Sequence, residues 1–313
     1  MNDKPVSVLM SVYNEPLDYI RSSVDSVLEQ SYTELQVIIV IDNPDNTAAA
    51  NWLSEKAEKD SRILLLKNEK NMGLVYSLNR AIANAAGDYF ARMDADDISD
   101  KDRIIKEMRF LEENGLDLVA SNVTDIDENG MTMGTGHFPS DDKSIKEYLK
   151  YDACMPHPTW FGKRSVFEAL NGYRSIDACE DYDFLVRGAL KGYKYGVLPE
   201  PALFYRINSK GISQTKRAKQ KTTLFFLKKC YRINRSPSLA RLSKFMDGEK
   251  GRKKYDDLAE YYRMSARLKE LRPNKAKYLC YGGFMFIKSA EARTVISNMV
   301  REKIISKRAP KKG

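Results

Sequence analysis

The chain has 313 residues, 42% hydrophobic and 30% charged, which excludes a disordered polymer and allows one large α/β domain plus an accessory segment. No run approaches the roughly 18 apolar residues of a bilayer span. Met1–Val6 also lacks the basic and apolar regions of an export signal, so a cytoplasmic or membrane-peripheral protein is expected. The four cysteines, Cys154, Cys179, Cys230 and Cys280, have no CxxC spacing and read as ordinary thiols, neither a disulfide nor a zinc framework.

Charge is unevenly distributed. The net charge is +9, yet residues 214–313 carry 28 Lys and Arg against 8 Asp and Glu, a net of +20, which leaves −11 on residues 1–213. This change just after Ser213 predicts an acidic body, 1–213, followed by a basic segment, 214–313, that meets something anionic.

Along the chain, Val6–Val12 is an apolar strand broken by Tyr13-Asn14-Glu15-Pro16, and Ile20, Val24, Val27 and Leu28 follow at helical spacing. Leu35–Ile41 is dense in β-branched residues, as in a strand buried on both faces of a parallel sheet, and ends at Asp42. Ala48–Lys59 predicts a helix and Arg62–Lys67 a strand. Leu74, Leu78 and Ile82 share a helical face, with Gly87 as the expected C-cap. Asp88–Met93 is the fourth strand; Ser99 and Asp102 mark the expected start of a helix through Leu111, closed by Gly115. The alternation predicts a doubly wound, largely parallel, Rossmann-like sheet over about residues 1–116. From 117 to 213 the pattern is mixed, with strands expected at Leu118–Ile126, Met131–Phe138, Thr159–Gly162 and Gly196–Tyr205, and a helix at Tyr182–Lys191. After Ser213 the chain reads as mainly helical.

Ligands of open α/β sheets sit outside the carboxyl ends of the strands. Asp42 falls at one such end and Asp94, Asp96 and Asp97 at another. Asp94 and Asp96 are two apart, so extended backbone aims both to one side, and clustered carboxylates call for a compensating cation. A hard divalent ion shared with substrate phosphates fits that need. Taken alone, Asp-Ala-Asp-Asp fits a solvated loop and helix cap better; its place at a strand end after an apolar run reverses that and favours the metal site. Neither GxxxxGK(S/T) nor GxGxxG after the first strand is present, so P-loop kinases and dinucleotide dehydrogenases are excluded. Glu180-Asp181 before the Tyr182 helix, and Asp183 in the same turn, fit N-terminal capping when read alone.

In order, Val8-Leu9-Met10-Ser11-Val12-Tyr13-Asn14-Glu15, Val37–Asp42, Asn71-Met72-Gly73, Gly87-Asp88-Tyr89 and Met93-Asp94-Ala95-Asp96-Asp97 resemble the family 2 glycosyltransferases of GT-A fold. His157-Pro158-Thr159, Gly172-Tyr173-Arg174, Glu180-Asp181-Tyr182-Asp183-Phe184 and Tyr205-Arg206 continue the likeness, which covers about the first 215 residues. It implies an inverting, metal-dependent hexosyltransferase. The enzyme would move sugar from a nucleoside-diphosphate donor, UDP above all, to a hydroxyl of a glycan or lipid-linked acceptor in capsule, lipopolysaccharide or other surface-polysaccharide synthesis. The resemblance further implies that Val12, Tyr13 and Asp42 hold the base or ribose, with Asn71 and Arg92 adding nucleotide contacts. Asp94 would lie near the ribose and be a second candidate metal ligand, and Asp96 would ligate Mn²⁺ or Mg²⁺. Asp181 would be the base, Glu180 its support, and Arg206 and Ser213 would contact the diphosphate. His157 matches an acceptor-side position, although a buried structural histidine fits it equally well.

Two departures stand out. Asp42-Asn43-Pro44-Asp45 replaces the family's Asp-Asp-Gly-Ser, and Asn208 occupies the place of a histidine two residues after the tyrosine-arginine, which leaves the third metal ligand open. Rival readings are a sugar-nucleotide hydrolase or nucleotidyltransferase on the same metal site, and a non-catalytic membrane scaffold. In the basic segment, Leu224–Leu227 lies between lysines, and Leu279, Tyr281, Phe284, Met285 and Phe286 lie between Lys277 and Lys288. These suit an anionic lipid surface at the inner face of the plasma membrane, an accessory subdomain nearly as well, and nucleic acid least.

Overall fold

The computed structural model describes residues 4–176, 178–207, 217–272 and 275–308. Among these, nine strands form one sheet. They are β1 (Val6–Val12), β2 (Leu35–Ile41), β3 (Ile63–Lys67), β4 (Tyr89–Asp94), β5 (Ile98–Ser99), β6 (Leu118–Ile126), β7 (Thr132–Thr135), β8 (Phe161–Lys163) and β9 (Tyr195–Arg206). Their order is β3-β2-β1-β4-β8-β6-β9-β5, with β7 beside β6. The first four pair in parallel, and β8 then inserts antiparallel between β4 and β6.

The helices of the body are α1 (Leu17–Leu28), α2 (Thr47–Lys59), α3 (Leu74–Ala83), α4 (Arg103–Glu113), α5 (Asp142–Tyr148), α6 (Arg164–Ala169) and α7 (Glu180–Leu190). Five more follow: α8 (Arg217–Arg232), α9 (Leu239–Asp247), α10 (Glu249–Glu270), α11 (Lys275–Lys288) and α12 (Ala290–Arg308).

Side chains alternate across a strand, so the apolar runs of β1 and β2 fill both faces of the sheet. Val8, Met10, Val12, Val37, Ile39 and Ile41 pack beneath α1, α2 and α4. Leu9, Ile38 and Val40 pack on the other face with α3, α6, α7 and, from the basic segment, Leu224 and Leu227 of α8. Each such side chain contributes about 1.5–3 kcal/mol of burial. A smaller cluster of Met264, Met285 and Ala292 joins α10, α11 and α12. No described helix is long and apolar enough to cross a membrane.

Several local expectations are corrected. Helix α3 ends at Ala83 with Asn84 as its C-cap, and Gly87 does not cap it. A Cβ on Gly87 would lie 2.6 Å from the Ser7 nitrogen and 2.8 Å from the Pro5 carbonyl, so glycine is needed for close approach to the start of β1. Ser99 does not begin α4; it lies in β5 and pairs with Leu203 of β9, because the chain after Asp97 turns back against that strand. The strand expected at Met131–Phe138 is only the exposed β7, and Thr159–Gly162 divides into a 3₁₀ turn, His157–Thr159, and β8. Glu180 and Asp181 do not precede α7; they are its first two residues.

Candidate active site

The parallel register sets Ser11 of β1 opposite Asp94 of β4, so the carboxyl ends of both strands open into one space. There the carboxylates of Asp94, Asp96 and Asp97 offer ligand atoms within 4.8 Å of one another. Burial, reinforced by the charges of Asp94 and Glu15, pushes Asp96 up to about 7. Burial also pushes Asp97 well above the usual carboxylate range, with Asp94 and Asp96 adding to the effect. Asp97 Oδ1 accepts the Arg206 N–H at 2.8 Å, whereas its buried Oδ2 has no partner. An orphaned acceptor beside two repelling carboxylates is the donor set a hard divalent cation satisfies, and Asp94 and Asp96 complete it.

Glu15 is a member of this acidic group that sequence reasoning passed over as a separate site residue. Burial raises it, while the Tyr13 N–H, which it accepts at 2.7 Å, opposes that rise. Its signal was its place three residues past the end of β1, the neighbour of β4.

Asp42 is 3% exposed and serves the loop before α3. Its Oδ1 accepts Asn68 Nδ2 at 2.7 Å and the Met72 N–H at 2.8 Å, and Oδ2 accepts the Gly73 N–H at 2.8 Å. Gly73 has φ +87°, where glycine alone is unstrained, and Asn71 Oδ1 also accepts its N–H. Asn71 and Tyr13 are exposed at the rim; Val12 is buried, and its carbonyl accepts the Asp42 N–H.

Arg92 lies beneath the cluster, 4% exposed. It ion-pairs with Asp94 through Nη1, off the line of a hydrogen bond, and its Nε finds no acceptor. Helix α4 fixes it from behind: Arg103 Nη2 donates to the Arg92 carbonyl at 2.7 Å, and Arg103 is paired with the buried Glu107.

Asp181, in the first turn of α7, approaches from the opposite half of the sheet. Burial raises it; the Tyr182 N–H at 2.6 Å, and next the charge of Arg92, pull the other way. Between the two acidic groups stands Tyr173. Its hydroxyl is raised by burial, an effect that Arg92 opposes and Glu180, Asp181 and Asp94 reinforce. His157 Nε2 lies 2.8 Å from that hydroxyl, and its ring packs edge-on to Trp160. Burial, then Arg92, holds the imidazole well below its ordinary value, so it remains neutral. Glu180 is buried beside Asp181.

The remaining expected residues are placed differently from their neighbours. The Nε of Arg206 donates to the Asp96 carbonyl at 2.9 Å, and its Nη1 donates to the Asp127 and Glu128 carbonyls at 3.0 and 3.2 Å. The guanidinium also lies 4.1 Å from the Tyr19 ring centroid, so much of it is committed to holding the Asp96 turn. Asp183 is no exposed cap: fully buried, it pairs with both Arg174 and Arg187. Ser213 and Asn208 lie outside the described residues.

Residues 7–170 match the model of glycosyl transferase family 2. The chain is 35% identical over 238 residues to an uncharacterised glycosyltransferase of Methanocaldococcus jannaschii, covering 74% of this chain and 81% of that protein. It is 30% identical over 212 residues to the O-antigen biosynthesis glycosyltransferase WbnJ of Escherichia coli, covering 67% and 82%. Among solved structures, Staphylococcus aureus TarS in complex with UDP-GlcNAc superposes with TM-score 0.62 at 16% identity, over 93% of this chain and 82% of that one. The Pyrobaculum calidifontis mannosyltransferase PcManGT in complex with GDP-Man and Mn²⁺ gives 0.59 at 17%, over 97% and 86%. The carboxylates at the strand ends are thus set in a GT-A scaffold, and the chain belongs to glycosyltransferase family 2.

Proposed function

We propose that this glycosyltransferase is an inverting, metal-dependent enzyme that moves a hexose from a UDP-sugar to a hydroxyl of a cell-surface glycan acceptor. The observation that carries this reading is the pairing of two acidic groups, Asp94/Asp96/Asp97 and Asp181, around Arg92 and Tyr173. The O-antigen relative and the UDP-GlcNAc complex of a fold neighbour support the acceptor and donor classes.

In this reading Val12, Tyr13, Asp42 and Asn71 bind the nucleoside, with Asp42 acting through the loop it organises. Asp94 lies toward the ribose, and Arg92 beneath it. Asp96 and Asp94, with the partnerless Oδ2 of Asp97 beside them, would hold Mn²⁺ or Mg²⁺, which would supply neutralisation of the diphosphate charge. Since Nε and Nη1 of Arg206 are taken, its diphosphate contact falls to Nη2, with Ser213 in support.

The acceptor oxygen attacks the anomeric carbon on the face opposite the diphosphate. Its proton passes to the Asp181 carboxylate, and the breaking bond's electron pair leaves with the diphosphate, inverting the carbon. A carboxylate raised by burial accepts a proton more readily than an exposed one, which suits Asp181 to this role with Glu180 beside it. His157 orients Tyr173 on the acceptor side.

The catalytic domain in this reading is 1–213, with a nucleotide half of about 1–116 and an acceptor half of about 117–213. Segment 214–313 carries the protein to an anionic membrane at the cytoplasmic face. Leu279, Phe284, Phe286 and Ile287, at 71%, 50%, 45% and 74% exposure, support that contact. The test is UDP release from a panel of nucleotide-sugars with Mn²⁺, with and without glycan acceptors. Acceptor-stimulated release from a UDP-sugar is expected; release equal in water alone makes the protein a hydrolase and overturns the reading.

A further inference from the structure

Three described non-glycine residues have positive φ: Asn171, Asn234 and Ala178. Asparagine tolerates this region, but alanine at φ 58° crowds its Cβ against the following carbonyl. Ala178 stands three residues before Asp181, so something must hold it there, and strained backbone gathers where function requires a set geometry.

The holding contacts come from α8, far along the chain. Gln220 Nε2 donates to the Ala178 carbonyl at 2.8 Å, and the Cys179 thiol donates to the Gln220 backbone carbonyl at 3.3 Å. The next residue, Lys221, ion-pairs with Asp152 at 2.7 Å, and Lys228 Nζ donates to the Tyr151 carbonyl at 2.6 Å. Thr222, Leu224 and Leu227 are buried against the body, which makes this stretch of α8 a rigid base. Beyond the clamp, the Asp183 N–H donates to the Cys179 carbonyl at 3.0 Å, the bond that opens α7 and sets the direction of its first turn.

We propose that Gln220 is a positioning residue for sugar transfer: by clamping Ala178 in the left-handed conformation it aims the first turn of α7, and with it the Asp181 carboxylate. This rests on the reading of Asp181 as the base. Without the clamp, Ala178 relaxes toward negative φ and Asp181 moves off the acceptor hydroxyl. Misplacement of a reacting group by about 1 Å costs up to about 10²-fold in rate.

The test uses the full chain and the UDP-sugar that supports transfer. Gln220→Ala and Gln220→Glu, the second keeping size but removing the donor, are each expected to lower kcat by about tenfold or more. UDP affinity in Mn²⁺ should stay within about twofold, since the clamp touches no donor residue. Ala178→Gly added to either variant should return kcat most of the way, because glycine adopts positive φ without the strain that an alanine Cβ brings. Amide exchange at Cys179–Tyr182 should speed in the single variants and slow again in the doubles. Normal kcat in Gln220→Glu, or a loss that Ala178→Gly does not repair, overturns the proposal. Asp181→Asn is measured in parallel. If it turns over normally the base assignment falls, and the positioning proposal with it; if it is dead while the Gln220 variants are normal, only the clamp falls.

Discussion

The sheet body and the outer helices of the same chain are built by opposite rules. In β1 and β2 nearly every residue is buried, one face to each core, and the acidic residues come where those strands stop. In α9–α12, among the described residues, only a few apolar side chains, Leu258, Met264, Met285 and Ala292, are enclosed, while Leu279 and Ile287 stand out at 71% and 74% exposure. Helix α8 bridges the two: basic like the outer helices, yet with one face, Thr222, Thr223, Leu224, Leu227 and Cys230, buried against the body. A rigid frame can thus hold carboxylates that repel one another, while the outer layer is left to make contacts of its own.

The contrast breaks most visibly at Asp181. Replacing it with Asn is expected to cut transfer by about 10²–10⁴-fold with donor binding retained, read by UDP release; near-normal turnover removes the base. Next comes Asp183→Asn, which leaves Arg174 and Arg187 facing a neutral partner inside the frame. A loss of about 3–5 kcal/mol in denaturant unfolding is expected, whereas a charge change at the exposed Asp256 of α10 should cost almost nothing.

A third prediction concerns pH. Burial raises Asp96 to about 7 in the fold from its ordinary 3.8. The metal-free protein is therefore favoured with Asp96 protonated, and that contribution is lost as pH climbs from 3.8 through about 7. Metal competes with that proton, so Mn²⁺ affinity should fall about tenfold per pH unit below 7, measured by titration calorimetry; a flat profile contradicts it. The smallest effect belongs to the outer layer. Phe286→Ser with Ile287→Ser should weaken sedimentation with anionic vesicles by roughly threefold to tenfold and leave the unfolding midpoint of the body unchanged.

Much of the frame was legible because a parallel strand buried on both faces leaves an uninterrupted apolar run, as at Leu35–Ile41. Asp94 and Asp96 could be grouped from their closeness in sequence, although the strand ends at Asp94 and a turn at Ala95–Asp96, not extended backbone, brings their carboxylates together. The two-residue β5 was illegible: Ile98 and Ser99 are strand only because β9 lies beside them, and Ser99 resembles a helix cap when read locally. Likewise, α5 and α6, at seven and six residues, are too short to show a period. Arg206 could be recognised as a cation near the site, but no local pattern reveals that its Nε would turn to the Asp96 carbonyl. The link from Gln220 to Ala178 spans 42 residues and exists only through packing.

The most direct measurement is calorimetry of UDP binding with and without Mn²⁺, on the native chain and on Asp96→Ala. UDP affinity in the native chain is expected to fall at least about tenfold when the metal is removed, and Asp96→Ala in Mn²⁺ to behave like the metal-free native protein. Full metal-dependent UDP affinity in Asp96→Ala would contradict that expectation.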